Sequence, residues 1–588
     1  MGSRIARFAF ERGGLLVLTA LVVYAIAAPT HIVDSDNAEF TTLGAIGGGA
    51  HPSGYPLYLL WLRATAWIPG SSPAHTAALA TVILSVAQLW LLLAAARAWG
   101  ATALAAAAAV AIYAAGPFVF RMAIQAEVFA LNGLVGAAVL WLAAERGPVR
   151  GRTRALLLGL VAGLGMSNHL TCTLLAPLGV WGVSRAWRED AGSKLVVVAA
   201  AIGGCVLGLL PYAYLFVTDE NLLSWPAPHD AGELVTIFLR REYGATSIGV
   251  AGSANLDAIA SLGSYAAFVG RSLVWLPPVI ALAAIGARVA RPANGGGRVG
   301  WIALAASWLL AGPVLTWVAD APAEGFGLFV VRRYQLLSLV LLVVPLAVGL
   351  DLIAARARGD RVVPARRAWH GGVVASVVFV LLAIASVGRV RAVQSPAAEL
   401  SVRNMLGSLP VGAVVLGEGD ELHTGTRYLQ LVLGIRTDVT YLHLRGLPTS
   451  WYRERFREYG IPIETLKGPD AILDLARAIL RTGRPVFVVS RKLPLLRVLP
   501  SYPHGFLLRV LPEGASPPTL DEVVELDRAI YAAFDLGYPM PGPDDELAMA
   551  THQRYASTWL LLARALRGAG RVQDAEAAED IARQLWPH

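Results

Sequence analysis

The sequence predicts a polytopic α-helical membrane protein of about eleven spans that ends in a soluble α/β domain. Three observations carry this prediction. Of 588 residues, 56% are hydrophobic and only 15% charged, and the mean hydropathy is +0.56, a balance found in multi-span chains. Short Arg-bearing loops separate the apolar runs, and after about residue 390 the composition becomes that of a water-soluble domain. The net charge of +8 does not point to nucleic acid, because the Arg residues collect in those short loops and serve topology. Cys172 and Cys205 both lie in apolar segments, so no disulfide framework is implied.

The first span, 13–29, follows Arg4, Arg7 and Arg12, which places the N-terminus in the cytosol. It is expected to stay uncleaved, since only a weak small-residue site, near Ala28, follows it. Asp34, Asp36 and Glu39 then reach the outer face. The segment 55–68 is apolar but short and bracketed by Pro52, Pro56 and Pro69, which predicts a helix lying at the outer interface. Basic clusters at Arg97, 146–154, 185–194, 288–298 and 356–367 are read as cytosolic. Even crossings between them give spans at 75–96, 102–118, 126–144, 155–169, 171–186, 195–217, 264–287, 299–319 and 334–354, and a last one at 371–388. An odd total puts the C-terminus outside. The pair 155–169 and 171–186 is too short for two ordinary crossings and is expected to be broken or re-entrant.

In the soluble region, strand-like runs at 411–417 and 484–490 with helical patterns between predict an α/β domain. GEGDE, Gly417 to Glu421, is then the loop at the C-terminal end of a strand: an ordinary turn first, a second site as the alternative. Trp559, Ala563, Leu566, Ala575, Ala582 and Pro587 have the spacing of one tetratricopeptide-like hairpin, which caps the domain. The expected domains are 1–390 (membrane, with outer loop 30–74), 391–540 (soluble α/β) and 541–588 (helical hairpin).

Some outer residues are not explained by topology. Arg240 and Arg241 in FLRREYG, and Arg332 and Arg333 in VVRRYQ, lie on the wrong side for the positive-inside rule. Their planar, permanently charged guanidinium groups suit a phosphate. The plainer alternative is solvation, or pairing with Asp219, Glu220, Asp230 or Glu233. Glu127, in QAEVFALN at the outer end of a span, is expected to face a cavity.

DNAEF, then HPSGYPLY, then QAEVFALN at 125–132 and SNHLT at 167–171 together resemble the membrane-glycosyltransferase family known by its D-x-x-E and HPxGYP signature. That family was first catalogued as a domain of unknown function, includes an animal endoplasmic-reticulum protein O-mannosyltransferase, and belongs to the GT-C superfamily. The likeness is strong over 34–175. It continues more weakly through NLLSWPAP with FLRREYG, and through GEGDELHTGTRYLQ with IRTDVTYLHL. The family often has Asp-Ser-Gly-Glu where this chain has Asp36-Asn37-Ala38-Glu39 preceded by Asp34. The choice between Asp34 and Asp36 therefore stays open, with the spacing to His51 favouring Asp36.

The resemblance implies a GT-C-like fold and inverting transfer of a sugar, mannose in the family, from a polyprenyl-phosphate carrier to a protein hydroxyl, glycan or lipid on the extracytoplasmic face. Asp36 would deprotonate the acceptor, Glu39 would orient acceptor or sugar hydroxyls, and Arg332 or Arg333 would stabilise the leaving phosphate. The matching motifs carry substrate binding to His51, Tyr55, Glu127, Asn132, Asn168, His169, Trp225, Arg240 and Arg241. Each has a plainer rival. Asp36 and Glu39 would cap the helix through EFTTLGAIG, His51 before Pro52 would shape a turn, and His169 beside Asn168 would satisfy backbone groups at a helix break. No cofactor and no metal are expected, although Asp34, Asp36 and Glu39 could hold a hard cation. The alternative function is a transporter or flippase of lipid-linked sugars, which the absence of an internal repeat disfavours. The Ala, Arg and Gly richness reads as a bacterial inner-membrane protein.

Overall fold

The computed structural model describes residues 13–190, 192–241, 258–292, 297–319, 326–358, 368–392, 394–457, 459–466, 468, 470–542 and 545–586. Arg4, Arg7 and Arg12, the end of FLRREYG, the basic residues 361–367 and Pro587 lie outside the described residues. Two compact units are present. One comprises Met1–Thr30, Gly47–Asp219 and Ala227–Arg391; the other comprises His31–Ile46, Glu220–Pro226 and Ala392–His588. In this division the acidic segment His31–Ile46 of the first outer loop and the segment Glu220–Pro226 group with the C-terminal residues.

The first unit is helical. Four described helices are long and apolar enough to cross a membrane: Pro73–Ala98, Lys194–Phe216, Gly297–Val318 and Gly327–Ala357. Gly14–Ala27, Phe129–Ala143 and Val373–Gly388 are shorter apolar helices. Ser72 starts the Pro73 helix, its Oγ accepting from His75 N at 3.0 Å.

Two expected single spans are corrected. Span 102–118 is Ala103–Ala115 followed by Pro117–Ala123, bent by 77°, and span 264–287 is bent by 108° between Ile259–Ser272 and Leu276–Ala290. Proline explains both. Pro117 pushes Gly116 out of the helical region, to ψ 130°, and Pro277 and Pro278 supply no N–H to the turn before them. The expected broken pair is present as Gly151–Met166, a 3-10 turn Leu170–Leu175 and Ala176–Glu189. At about 1.5 Å per residue, neither α-helix spans a core of about 30 Å. Counting each bent pair as one span gives six by length and composition, and the expected total of eleven is not reached on that count.

Small residues bring helices of this unit together. A Cβ on Gly159 would lie 2.0 Å from Ala201 O, and one on Gly163 2.1 Å from Cys205 O. The Gly151–Met166 and Lys194–Gly208 helices thus meet backbone to backbone, where the energy comes from close packing and not from an apolar transfer. Gly163→Val is expected to open this crossing and lower the thermal unfolding temperature of the detergent-solubilised protein, whereas Gly203→Val, with open space at its Cβ, should leave it unchanged.

The second unit holds a five-stranded sheet of order β2-β1-β3-β5-β4, built from β1 (Val414–Gly417), β2 (Thr440–His443), β3 (Val486–Val488), β4 (Ser501–His504) and β5 (Leu507–Val510). β1 pairs parallel with β2 and β3, and β5 runs antiparallel to β3 and β4. The buried faces of β1 and β3, Val414, Leu416, Val486 and Val488, pack with Leu475, Ile479 and Phe456 of the crossover helices. The helices Glu546–Gly568 and Val572–Leu585 form the expected hairpin, and Trp559, Ala563, Leu566, Ala575 and Ala582 are buried in it. Its core includes Tyr502, Val523 and Val524, so the hairpin shares buried side chains with the residues before it.

Asp527 sits fully buried in this unit, accepting from Gly505 N at 2.6 Å. Burial pushes its carboxyl up to about 7, against the pull of the Gly505 N–H and Arg491. The folded state therefore holds its proton where the unfolded chain has lost it. Stability is highest below the ordinary carboxyl range near 4 and falls as pH rises to about 7, by on the order of 4 kcal/mol. Asp527→Asn keeps the acceptor for Gly505 and is expected to flatten this dependence, read as protease resistance of the unit between pH 5 and pH 8.

Candidate functional site

The acidic segment folds as the helix Ser35–Ile46, which packs against the helix Asp420–Arg427 and the turn after it. Asp34 Oδ1 accepts from Asn37 N at 2.8 Å and so caps the helix. Asn37 Oδ1 returns to Val33 N, and Glu399 Oε2 accepts from Ile32 N at 3.1 Å. The capping role considered for Asp36 and Glu39 thus belongs to Asp34. Asp36 and Glu39, one turn apart, bring carboxylate oxygens within 4.8 Å of one another; Glu39 is buried and Asp36 half-buried. Two carboxylates this close place two hydrogen-bond acceptors side by side on one face of the helix. The pair consists of hard oxygen donors and could contribute to a cation site.

Trp225 belongs to the same unit. Its ring lies 5.3 Å from that of Trp451, and Arg455 donates to Asn221 O at 2.8 Å, to Ser224 O, and to Glu220 at 2.9 Å. These contacts give NLLSW an anchoring role on the soluble domain that the sequence did not reveal.

The remaining candidates lie in the membrane unit. Glu127, fully buried between two helices, accepts from Arg333 Nη1 at 2.7 Å. The Arg333 guanidinium also lies 5.1 Å from the Phe329 ring centroid and 5.8 Å from that of Phe129, and Arg121 lies 4.3 Å from Phe329. Arg121 is a buried cation that the sequence did not single out; its place four residues before QAEVF was the available signal. Arg332 is half-buried on the same helix. Arg240 follows the helix Ala231–Phe238, with φ at 55°, and Arg241 is exposed. Three of the four acids named as alternative partners have other roles: Asp230 caps Ala231–Phe238, Glu233 binds His229, and Glu220 binds Arg455.

His169, at the break between Met166 and Leu170, sits among the rings of Tyr55 (5.8 Å), Phe129 (5.2 Å) and Tyr334 (5.4 Å). Its Nδ1 accepts from Thr171 N at 3.2 Å, which satisfies the backbone there and places the proton of the neutral ring on Nε2. Asn132 Nδ2 donates to Thr171 Oγ1 at 2.9 Å, and Asn168 Nδ2 to Val128 O at 3.1 Å. Asn132 and Asn168 therefore position this corner. His51 O accepts from Gly54 N at 2.8 Å, the turn expected of it, while its ring reaches Tyr55 OH at 3.2 Å. Tyr55 holds φ at 46°, a strained value for a bulky residue of the kind that collects at functional sites.

A family model for the N-terminal domain of protein O-mannosyl-transferase TMEM260 matches residues 36–191, beginning at Asp36. Protein O-mannosyl-transferase TMEM260 of Mus musculus is 25% identical over 465 residues, covering 75% of this chain and 64% of the relative. The Dictyostelium discoideum protein of that name is 23% identical over 260 residues, 40% of this chain and 31% of the relative. The chain spans less than two thirds of the length of these curated relatives. Among solved structures, ArnT from Cupriavidus metallidurans bound to undecaprenyl phosphate is similar, with TM-score 0.51 and 12% identity over 86% of this chain and 99% of ArnT. Its apo state gives 0.52. At such identity the likeness shows the fold. The chain is accordingly an integral membrane protein with a fold like that of ArnT, similar in sequence to protein O-mannosyl-transferases named TMEM260.

Proposed function

We propose that the protein is a membrane glycosyltransferase that moves a sugar, mannose first, from a polyprenyl-phosphate donor to a hydroxyl acceptor on the extracytoplasmic face of a bacterial inner membrane, with inversion. The observation that carries this reading is the approach of the signature acids Asp36 and Glu39, whose carboxylate oxygens lie within 4.8 Å of one another, on a helix whose N-terminus Asp34 caps. In this reading Asp36 is the general base and Glu39 orients acceptor or sugar hydroxyls. Arg332 and Arg333 supply positive charge for the leaving phosphate, and His169 offers an Nε2–H donor at an aromatic wall. A hydroxyl acceptor loses its proton as its oxygen bonds to the anomeric carbon and the sugar–phosphate bond breaks. The relatives' printed name and the undecaprenyl phosphate bound to ArnT support the donor and acceptor classes.

The test is transfer of radiolabel from polyprenyl-phosphate mannose to a membrane extract by the purified protein. Label in a protein fraction is the expected result. Transfer from other polyprenyl-phosphate sugars alone would overturn the choice of mannose, and movement of lipid-linked sugar across vesicles without transfer would establish a transporter.

A further inference from the structure

The GEGDE loop is not used by the chemistry proposed above, yet it sits where open α/β sheets bind ligands. β1 lies between β2 and β3, all three parallel, so the chain leaves β1 toward β2 and leaves β3 toward the opposite edge, which opens a crevice beyond the carboxyl ends of β1 and β3. Three segments of one unit reach this place: Gly417 to Glu421 after β1, His443 at the end of β2, and Ser490 to Lys492 after β3. The helix Glu546–Gly568 adds Arg554, paired with Glu421, and holds Arg491 through Ser557 O at 2.7 Å and Thr558 Oγ1 at 2.8 Å.

The side chains form an assembled polar cluster. His443 Nε2 lies 3.1 Å from Asp420 Oδ1 and 3.1 Å from Glu418 O, two acceptors that make it the protonated nitrogen. The His423 ring stacks on His443 with centroids 4.8 Å apart and planes 11° apart, and flanks Tyr441. Tyr441 OH closes over Gly417, where a Cβ would lie 2.0 Å from it. Two buried atoms in this cluster lack hydrogen-bond partners: Nδ1 of His423, a residue 9% exposed, and Nη1 of Arg554. Buried polar groups left unsatisfied are destabilising, a cost that an ordinary turn has no reason to carry. Burial and the nearby Arg427 keep His423 neutral.

The chemistry of the cluster selects its ligand. Glu418, Asp420 and Glu421 oppose an anion, while Arg554, Arg491 and Lys492 oppose a simple cation. Two imidazoles bind a metal in their own planes, and parallel planes this far apart cannot share one ion. A hydroxyl both donates and accepts, so it can satisfy carboxylate, imidazole and guanidinium together.

We propose that the crevice at the carboxyl ends of β1, β2 and β3 binds a neutral, hydroxyl-rich ligand such as one hexose unit of a glycan, held by Asp420, His443 and Arg554. The proposal is argued from the groups of this crevice alone and does not rest on the role assigned to Asp36.

Saturation-transfer NMR of the full-length protein in detergent, with methyl α-D-mannopyranoside as probe, tests the proposal. Binding is expected in the wild type, about tenfold weaker in Asp420→Asn and in His443→Gln, and unchanged in Asp36→Asn. Asp420 is largely exposed, so its variant should fold; His423→Phe, which keeps the stacked ring and removes both nitrogens, should also weaken binding. Equal binding in wild type, Asp420→Asn and His443→Gln overturns the proposal, as does no binding at all or displacement of the probe by inorganic phosphate.

Discussion

Asp36→Asn is expected to lower sugar transfer by about 10²–10⁴-fold with little change in thermal stability. The amide keeps the size and the hydrogen-bonding outline of the carboxylate but cannot take the acceptor proton. Helix stability should be preserved because the cap is Asp34, through Asn37 N at 2.8 Å. The matched control is Asp34→Ala, which should cost about 1 kcal/mol through loss of the cap and reduce the rate far less. Initial rates of label transfer and unfolding temperatures, measured on both variants, separate the two acids. A wild-type rate in Asp36→Asn would falsify the assignment of Asp36 as base and return the choice to Asp34 or Glu39.

The second large effect is expected at the ion pair between Glu127 and Arg333, whose contact is 2.7 Å with both side chains almost wholly buried. Removing Glu127 alone, as Glu127→Ala, leaves a guanidinium inside the helical unit and is expected to cost about 3–5 kcal/mol. Replacing both members by apolar residues of similar volume, Glu127→Leu with Arg333→Met, should recover most of that stability, because it removes the uncompensated charge along with its partner. Unfolding temperature in detergent reads the first comparison. The transfer rate of the double variant reads a second question. A stable but inactive double variant would support a phosphate role for Arg333, and one that transfers at the wild-type rate would assign the pair to the architecture alone.

Much of the helical pattern was legible in the chain because an apolar run needs only local information to become a helix. Helices lie at the expected positions 13–29, 75–96, 126–144, 195–217 and 299–319. The helix after Asp34, the strand ends around 417 and 488, and the buried Trp559, Ala563, Leu566, Ala575 and Ala582 were likewise visible in local spacing. The count of crossings was less legible, because a bend of 108° between Ile259–Ser272 and Leu276–Ala290 leaves hydropathy unchanged. Likewise, basic residues were read as topology signals, yet Arg154 is buried against Glu189 at 2.5 Å.

The sequence by itself determined the class of the molecule, the likeness to O-mannosyltransferases through DNAEF, HPSGYPLY, QAEVFALN and SNHLT, and most of the candidate residues named for the site. Tertiary structure alone decided the tasks within that set. Asp34 and Asp36 are chemically identical and two residues apart, and only the backbone direction at Asn37 makes the first a cap. Glu127 and Arg333 are 206 positions apart, so their pairing depends on helix packing and has no sequence signature. Trp225 is a docking residue because Trp451 meets it, and His169 carries its proton on Nε2 because Thr171 N occupies Nδ1. Local spacing reports which groups a chain places on one side of an element, whereas a partner from a distant element sets the charge, tautomer and role of each group.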